Sequence, residues 1–179
     1  MNWILKMFFL LSLMAEAPIF GELAYDKISN QILNKCSKEL EKRFPMSVMG
    51  TGGSGGYDIK AVHIKYQYRG EASIEEARRL YVDIAEVFIK SYNANRQLRP
   101  YLHHYPFNEQ SLNLVINFNN PKNEKVSFVM GGTKDIEYFH ETPDNYRGEE
   151  FFTEPYTAAL EIVRNERKQQ TEQQFQRGK

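Results

Sequence analysis

Apolar residues recur at spacings of three and four over two long stretches of this chain, and alternate with polar ones over four shorter stretches. The clearest helical stripe runs from Ser73 to Asn95, where Ile74, Ala77, Leu80, Tyr81, Ile84, Val87, Phe88 and Tyr92 share one face. Ser73 with Glu76 three residues on spells a capping box, each side chain serving a free backbone N–H of the first turn. Arg99 precedes Pro100 and is pushed out of the helical region, so the helix is predicted to stop between Asn93 and Leu98. A second stripe, Tyr25, Ile28, Ile32, Leu33, Cys36, Leu40 and Phe44, predicts a helix that Pro45 ends.

Period-two alternation marks the strands. Val62, Ile64, Tyr66 and Tyr68 alternate with Ala61, His63, Lys65 and Gln67. Leu112, Leu114, Ile116 and Phe118 make a second strand, and Val126, Phe128 and Met130 a third. Gly131-Gly132-Thr133 reads as a tight turn into a fourth strand, Asp135–His140. Asn119 to Glu124 reads as a turn-rich loop, and Glu141 to Glu150 as a polar one. Thr153 or Glu154 then caps a last helix with Pro155 in its first turn. Tyr156, Ala159, Leu160 and Val163 are its buried stripe, and residues 166–179 read as a polar, disordered tail.

These elements predict one α+β domain over residues 22–165, in the order α-β-α-β-β-β-α. A four-stranded, mostly antiparallel sheet packs one apolar face on two or three helices. If the first two strands are parallel neighbours, the Ser73–Asn95 helix is their crossover. The other face carries His63, Lys65, Gln67, Asn113 and Asn117, and is expected to be wet or to bind something.

The N-terminus adds an address. Met7 to Ala15 is an apolar run behind Lys6, long enough for the core of an export signal and too short for a membrane span. Residues 1–21 therefore read as a signal peptide cut between Gly21 and Glu22, with no stable span remaining. Composition narrows the partners. With 23 basic and 23 acidic residues there is no basic field for nucleic acid. A single cysteine rules out an internal disulfide, and the helical stripe makes Cys36 a buried apolar filler.

Two stretches could carry function. Gly50 to Gly56 spells both G-x-G-x-x-G and G-x-S-x-G. Both patterns need a strand before and a helix after, and here a helix precedes and a strand follows. Ser54, Asp135 and His140 repeat the chain order of a Ser–acid–His triad without that context. The run therefore reads as a flexible loop whose glycines could let a ligand approach the backbone. The second stretch, Arg99-Pro100-Tyr101-Leu102-His103-His104-Tyr105-Pro106-Phe107, reads as an ordered loop whose aromatics plug the core, or as a binding lip. Gly53, Ser54, Gly55, Arg99, Tyr101, His103, His104 and Tyr105 are the candidate binding residues. No catalytic set, metal site or cofactor is expected. Adjacent histidines seldom share one ion, and His140-Glu141-Thr142-Pro143 lacks the second histidine of a zinc helix.

Together with the glycine run, the strand after it and the Ser73–Asn95 helix, Arg99–Phe107 resembles a segment of a group of small exported bacterial proteins of unknown function. The resemblance spans roughly residues 25 to 165. It implies bacterial origin and export to the periplasm or medium, and transfers no activity. The expected function is that of an exported, non-catalytic envelope or secreted protein that binds another protein or a small ligand. The alternative is a small secreted hydrolase or ligand-binding protein using Gly50–Gly56 and His103/His104.

Overall fold

Leu112, Leu114 and Ile116 are fully buried while Asn113, Val115 and Asn117 are only partly so, as their alternation requires of a sheet covered on one face. The computed structural model describes residues 24–119, 125–132, 134–142 and 145–177. The signal-peptide reading and most of the Asn119–Glu124 loop lie outside these residues. Three helices and six strands follow in the order α1 (Ala24–Arg43), β1 (Met46–Ser54), β2 (Ala61–Tyr68), α2 (Ile74–Ala94), β3 (Leu112–Asn117), β4 (Phe128–Gly131), β5 (Asp135–Thr142), β6 (Asn145–Pro155) and α3 (Tyr156–Arg177). The strands form one sheet in sequence order. β2 and β3 are parallel, with Ile64 opposite Leu114, and every other pairing is antiparallel. α2 is the crossover between the parallel pair, and Ser73 and Glu76 form the capping box.

The α+β class holds, but the sheet has six strands rather than four, and the order becomes α-β-β-α-β-β-β-β-α. The two added strands are its edges. β1 takes in Gly50–Ser54, expected to be a loop. Glycine packs no side chain and loses most entropy on ordering, so nothing in the local sequence favours a strand there. The ladder to β2 supplies the stabilisation instead, from Met46 opposite Tyr68 to Ser54 opposite Ala61, with one irregularity between Val48 and Gly50. The expected polar loop Glu141–Glu150 is largely strand, with Glu141 and Thr142 ending β5 and Asn145–Glu150 opening β6. Two register shifts against β5 break its alternation, which hides it from a period-two reading.

The helices cover one face only. Val62, Ile64, Tyr66, Leu114, Ile116, Val129, Ile136 and Tyr138 point into the core shared with α1 and α2. Tyr66 donates to Ser37 of α1 at 3.1 Å, and the Ser29 and Tyr92 hydroxyls, 2.8 Å apart, join α1 to α2. Burial pushes both tyrosine hydroxyls above their usual range. Cys36 is buried in α1, and burial raises its thiol, as expected of an inert filler.

The last helix departs from its reading. Glu154 and Pro155 end β6 and α3 begins at Tyr156, so neither Thr153 nor Glu154 caps it. Glu154 is instead buried, with Arg78 Nε at 2.7 Å and the Tyr138 hydroxyl donating to it at 2.5 Å. The segment expected to be a disordered tail continues as helix to Arg177. Charges on the polar face of α2 reach across to α3. Arg167 bridges Asp83 and Glu86, and Glu166 receives Arg79 at 3.5 Å.

Candidate functional site

The glycine run and the histidine segment meet at one end of the sheet. β1 ends at Ser54, whose carbonyl accepts from Lys60 N at 2.9 Å and closes the hairpin. Gly55 is needed inside that turn. Its φ is +146°, and a Cβ there would lie 1.7 Å from the Asp58 carbonyl oxygen. The tight turn sets Asp58 and Ile59 beside the chain returning from α2.

That return is built locally. Asn95 Oδ1 accepts from the backbone of Gln97 and Leu98. Arg99–Tyr101 forms a single 3₁₀ turn with proline near its start, where a missing N–H costs little. Leu102 then pairs with Ile59 in an isolated parallel bridge. Ile59 N donates to the Tyr101 carbonyl at 2.6 Å and His103 N to the Ile59 carbonyl at 3.0 Å. The bridge aligns Asp58 with His103, and Asp58 Oδ2 lies 2.5 Å from His103 Nδ1 with both side chains part-exposed. Tyr101 stacks on Tyr25 at 5.1 Å, and the Tyr25 hydroxyl donates to the Gly56 carbonyl at 2.8 Å. Phe107 is buried against Tyr92, so part of the segment does plug the core.

The candidate residues divide accordingly. Ser54, Gly53 and Gly55 line a cavity of about 370 Å³ between β1 and the first turns of α1, together with Tyr25, Ser29 and Asp58. His103 adjoins it through Asp58. His104 turns edge-on to His103, with rings 4.6 Å apart and 80° between planes, so the pair does not aim at one point. Arg99 covers the Tyr105 ring at 5.1 Å and donates to the Asn93 carbonyl, and neither residue lines the cavity. Tyr57, Tyr101 and Tyr105 are exposed around this end, Tyr57 at 93%. Sequence reasoning missed Asp58 and Tyr25. The only signal for Asp58 was its place between the glycine run and the strand.

The geometry supplies half of a nucleophile–base pair. A carboxylate on His103 Nδ1 orients an imidazole, but a hydrolase also needs a hydroxyl in reach of that ring. No hydrogen bond joins Ser54 to His103 among the described residues; the acceptor facing the ring is Asp58. The chain-order triad is not assembled. Asp135 and His140 are five residues apart on β5, about 16 Å at the strand rise. His140 is engaged with the Lys125 carbonyl at 2.7 Å. Among the described residues no three His, Cys, Asp or Glu side chains converge as a metal requires, and no helix is long and apolar enough to cross a membrane. No family model, curated protein or solved structure matches this chain.

The glycines of β1 are not all needed by the fold. A Cβ on Gly50 would meet nothing within 4 Å, and one on Gly52 only the His63 Cβ at 3.9 Å. Gly52→Ala is therefore expected to leave stability unchanged or raise it by up to about 1 kcal/mol, because alanine orders at lower entropic cost. Gly55→Ala is expected to lose more than about 1 kcal/mol through its clash with Asp58. Thermal melts of the two variants check the contrast, and equal midpoints would refute it.

Proposed function

We propose that this protein is exported, to the periplasm or the medium of a bacterium, and binds a partner without chemistry at the glycine-rich end of its sheet. The observation that carries the binding reading is the exposure of Tyr57, Tyr101 and Tyr105 on the two segments that the half-exposed Asp58–His103 contact joins. Aromatic rings beside a few fixed polar groups are what protein and small-ligand contacts use. The export reading rests on the Met7–Ala15 run and on the resemblance given above. Intact mass from fractionated native cells tests it. A chain starting near Glu22 outside the cytosol is expected, and a full-length cytosolic chain would remove the export half.

A second reading, a small secreted hydrolase, is favoured by the same Asp58–His103 bond, since Ser54 shares the cavity that Asp58 lines. A fluorophosphonate probe separates the two. No adduct is expected on the binding reading. An adduct on Ser54 that disappears in His103→Ala would replace it with the hydrolase.

A further inference from the structure

The sheet face that the helices leave bare carries one cation, Lys65, on its β2 side and two carboxylates, Asp135 and Glu137, on its β5 side. On β2 the residues pointing away from the core are His63, Lys65 and Gln67, and on β5 they are Asp135, Glu137 and Phe139. Register sets them in rows. Lys65 lies opposite Val115, Val115 opposite Met130, and Met130 opposite Glu137. Lys65 and Glu137 are thus three strands apart, about 14 Å, with two apolar residues between them. β2 and β5 run in the same direction, so His63 and Asp135 hold the matching ends of the adjacent row.

Neither Lys65 nor Glu137 has an ion-pair partner of its own chain among the described residues. Glu137 is held above the usual carboxylate range by burial, then by the charges of Glu150 and Asp135, with no cation to offset them. Between Lys65 and Glu137 lie Val115, partly buried, and Met130, exposed, with Asn113 and Asn117 on either side of Val115 along β3, and Phe128 stacks on Phe139 at 4.5 Å. A few apolar side chains set among polar ones are what interfaces between soluble chains present.

We propose that this face is the interface of a homodimer, closed by a second copy packed sheet to sheet about a twofold axis that runs along the strands between β3 and β4. Such an axis reverses the strand order across the interface. Lys65 then faces Glu137 of the second copy, His63 faces its Asp135, and Val115 faces its Met130. The Lys65–Glu137 contact occurs twice, as an isologous interface requires. Stacked sheets sit about 10 Å apart, a gap that a lysine and a glutamate side chain can span between them. The face selects its own copy because its two halves complement each other about that axis. A formal charge of +0 also leaves no net repulsion between copies. Six strands span roughly 24 Å by 20 Å, a flat footprint of about 480 Å² per partner, so the dimer is expected to be a small and weak one rather than an obligate one.

Sedimentation equilibrium of the exported chain tests the proposal. A species of twice the chain mass is expected. Lys65→Glu and Glu137→Lys each place like charges in contact twice, and each is expected to weaken the dimer at least about tenfold. The double variant restores both pairs and is expected to return to the parent affinity. An equimolar mixture of the two single variants is expected to form a heterodimer for the same reason. Circular dichroism checks that each variant is folded. A monomer throughout the concentration range would overturn the proposal and leave the face to a different protein. A dimer indifferent to both reversals would overturn it by placing the interface elsewhere.

Discussion

Replacing Arg78 with methionine is expected to cost about 3–5 kcal/mol of folding stability, read as a lowered urea midpoint with an unchanged slope. Arg78 and Glu154 are both buried, and their 2.7 Å contact joins α2 to the end of β6. Burial alone would lower the guanidinium pKa, but the hydrogen bond and charge of Glu154 outweigh it and raise it. Methionine fills most of the volume and supplies no charge. Glu154 would then be a buried carboxylate to which, among the described residues, only the Tyr138 hydroxyl donates. Taking one partner from a buried pair leaves the other charge desolvated and uncompensated, and that sets the size of the loss. Removing both charges should recover most of it. Arg78→Met with Glu154→Leu leaves only the Tyr138 hydroxyl short of a partner, at a cost of about 1–3 kcal/mol. Adding Tyr138→Phe should recover that too. A single-variant loss under about 1 kcal/mol would mean that water reaches Glu154 and that the triad does not hold β6 against α2.

That triad is a fair measure of what the sequence could and could not disclose. The helix carrying Arg78 was legible from its stripe and capping box, because both signals are local. Arg78 itself falls one residue after Ala77 on that stripe, and nothing local says that a charge at this point is buried. Its partner is 76 positions away, at the end of a strand. β6 in turn was illegible because its bulges disturb the alternation that betrays β3. The glycines of β1 concealed a strand for a different reason. They specify little by themselves, and β1 is ordered by the ladder that Ala61–Tyr68 offers it. The candidate site follows the same rule. Both of its stretches stood out by composition, one by glycine and one by aromatics and histidine. Their meeting at Ile59 and Leu102 depends on a backbone bridge that composition does not encode.

Phe107→Ala should reach beyond the core into the candidate site. Phe107 is 1% exposed and stacks on Tyr92 at 4.6 Å with 20° between the rings. Its backbone is clamped as well, since Asn93 Oδ1 accepts from Phe107 N at 2.8 Å and Asn93 Nδ2 donates to its carbonyl at 2.7 Å. Truncating a buried phenylalanine typically loses about 3–5 kcal/mol from transfer and cavity terms together. The Asn93 clamp survives the substitution, so the chain need not come away from α2 entirely. What goes is the ring that anchors the far end of the segment bearing His103. Loss of that anchor is expected to speed amide exchange from Leu102 to Tyr105, and to exchange His103 N, bound to the Ile59 carbonyl, faster than amides of β3. Hydrogen exchange at single-residue resolution separates this from general destabilisation. Uniform acceleration across β3 and the segment would mean that Phe107 serves the core alone. Selective acceleration would show that the end of the sheet bearing His103 is a local unit, fastened by one aromatic ring and able to loosen while the rest stays folded.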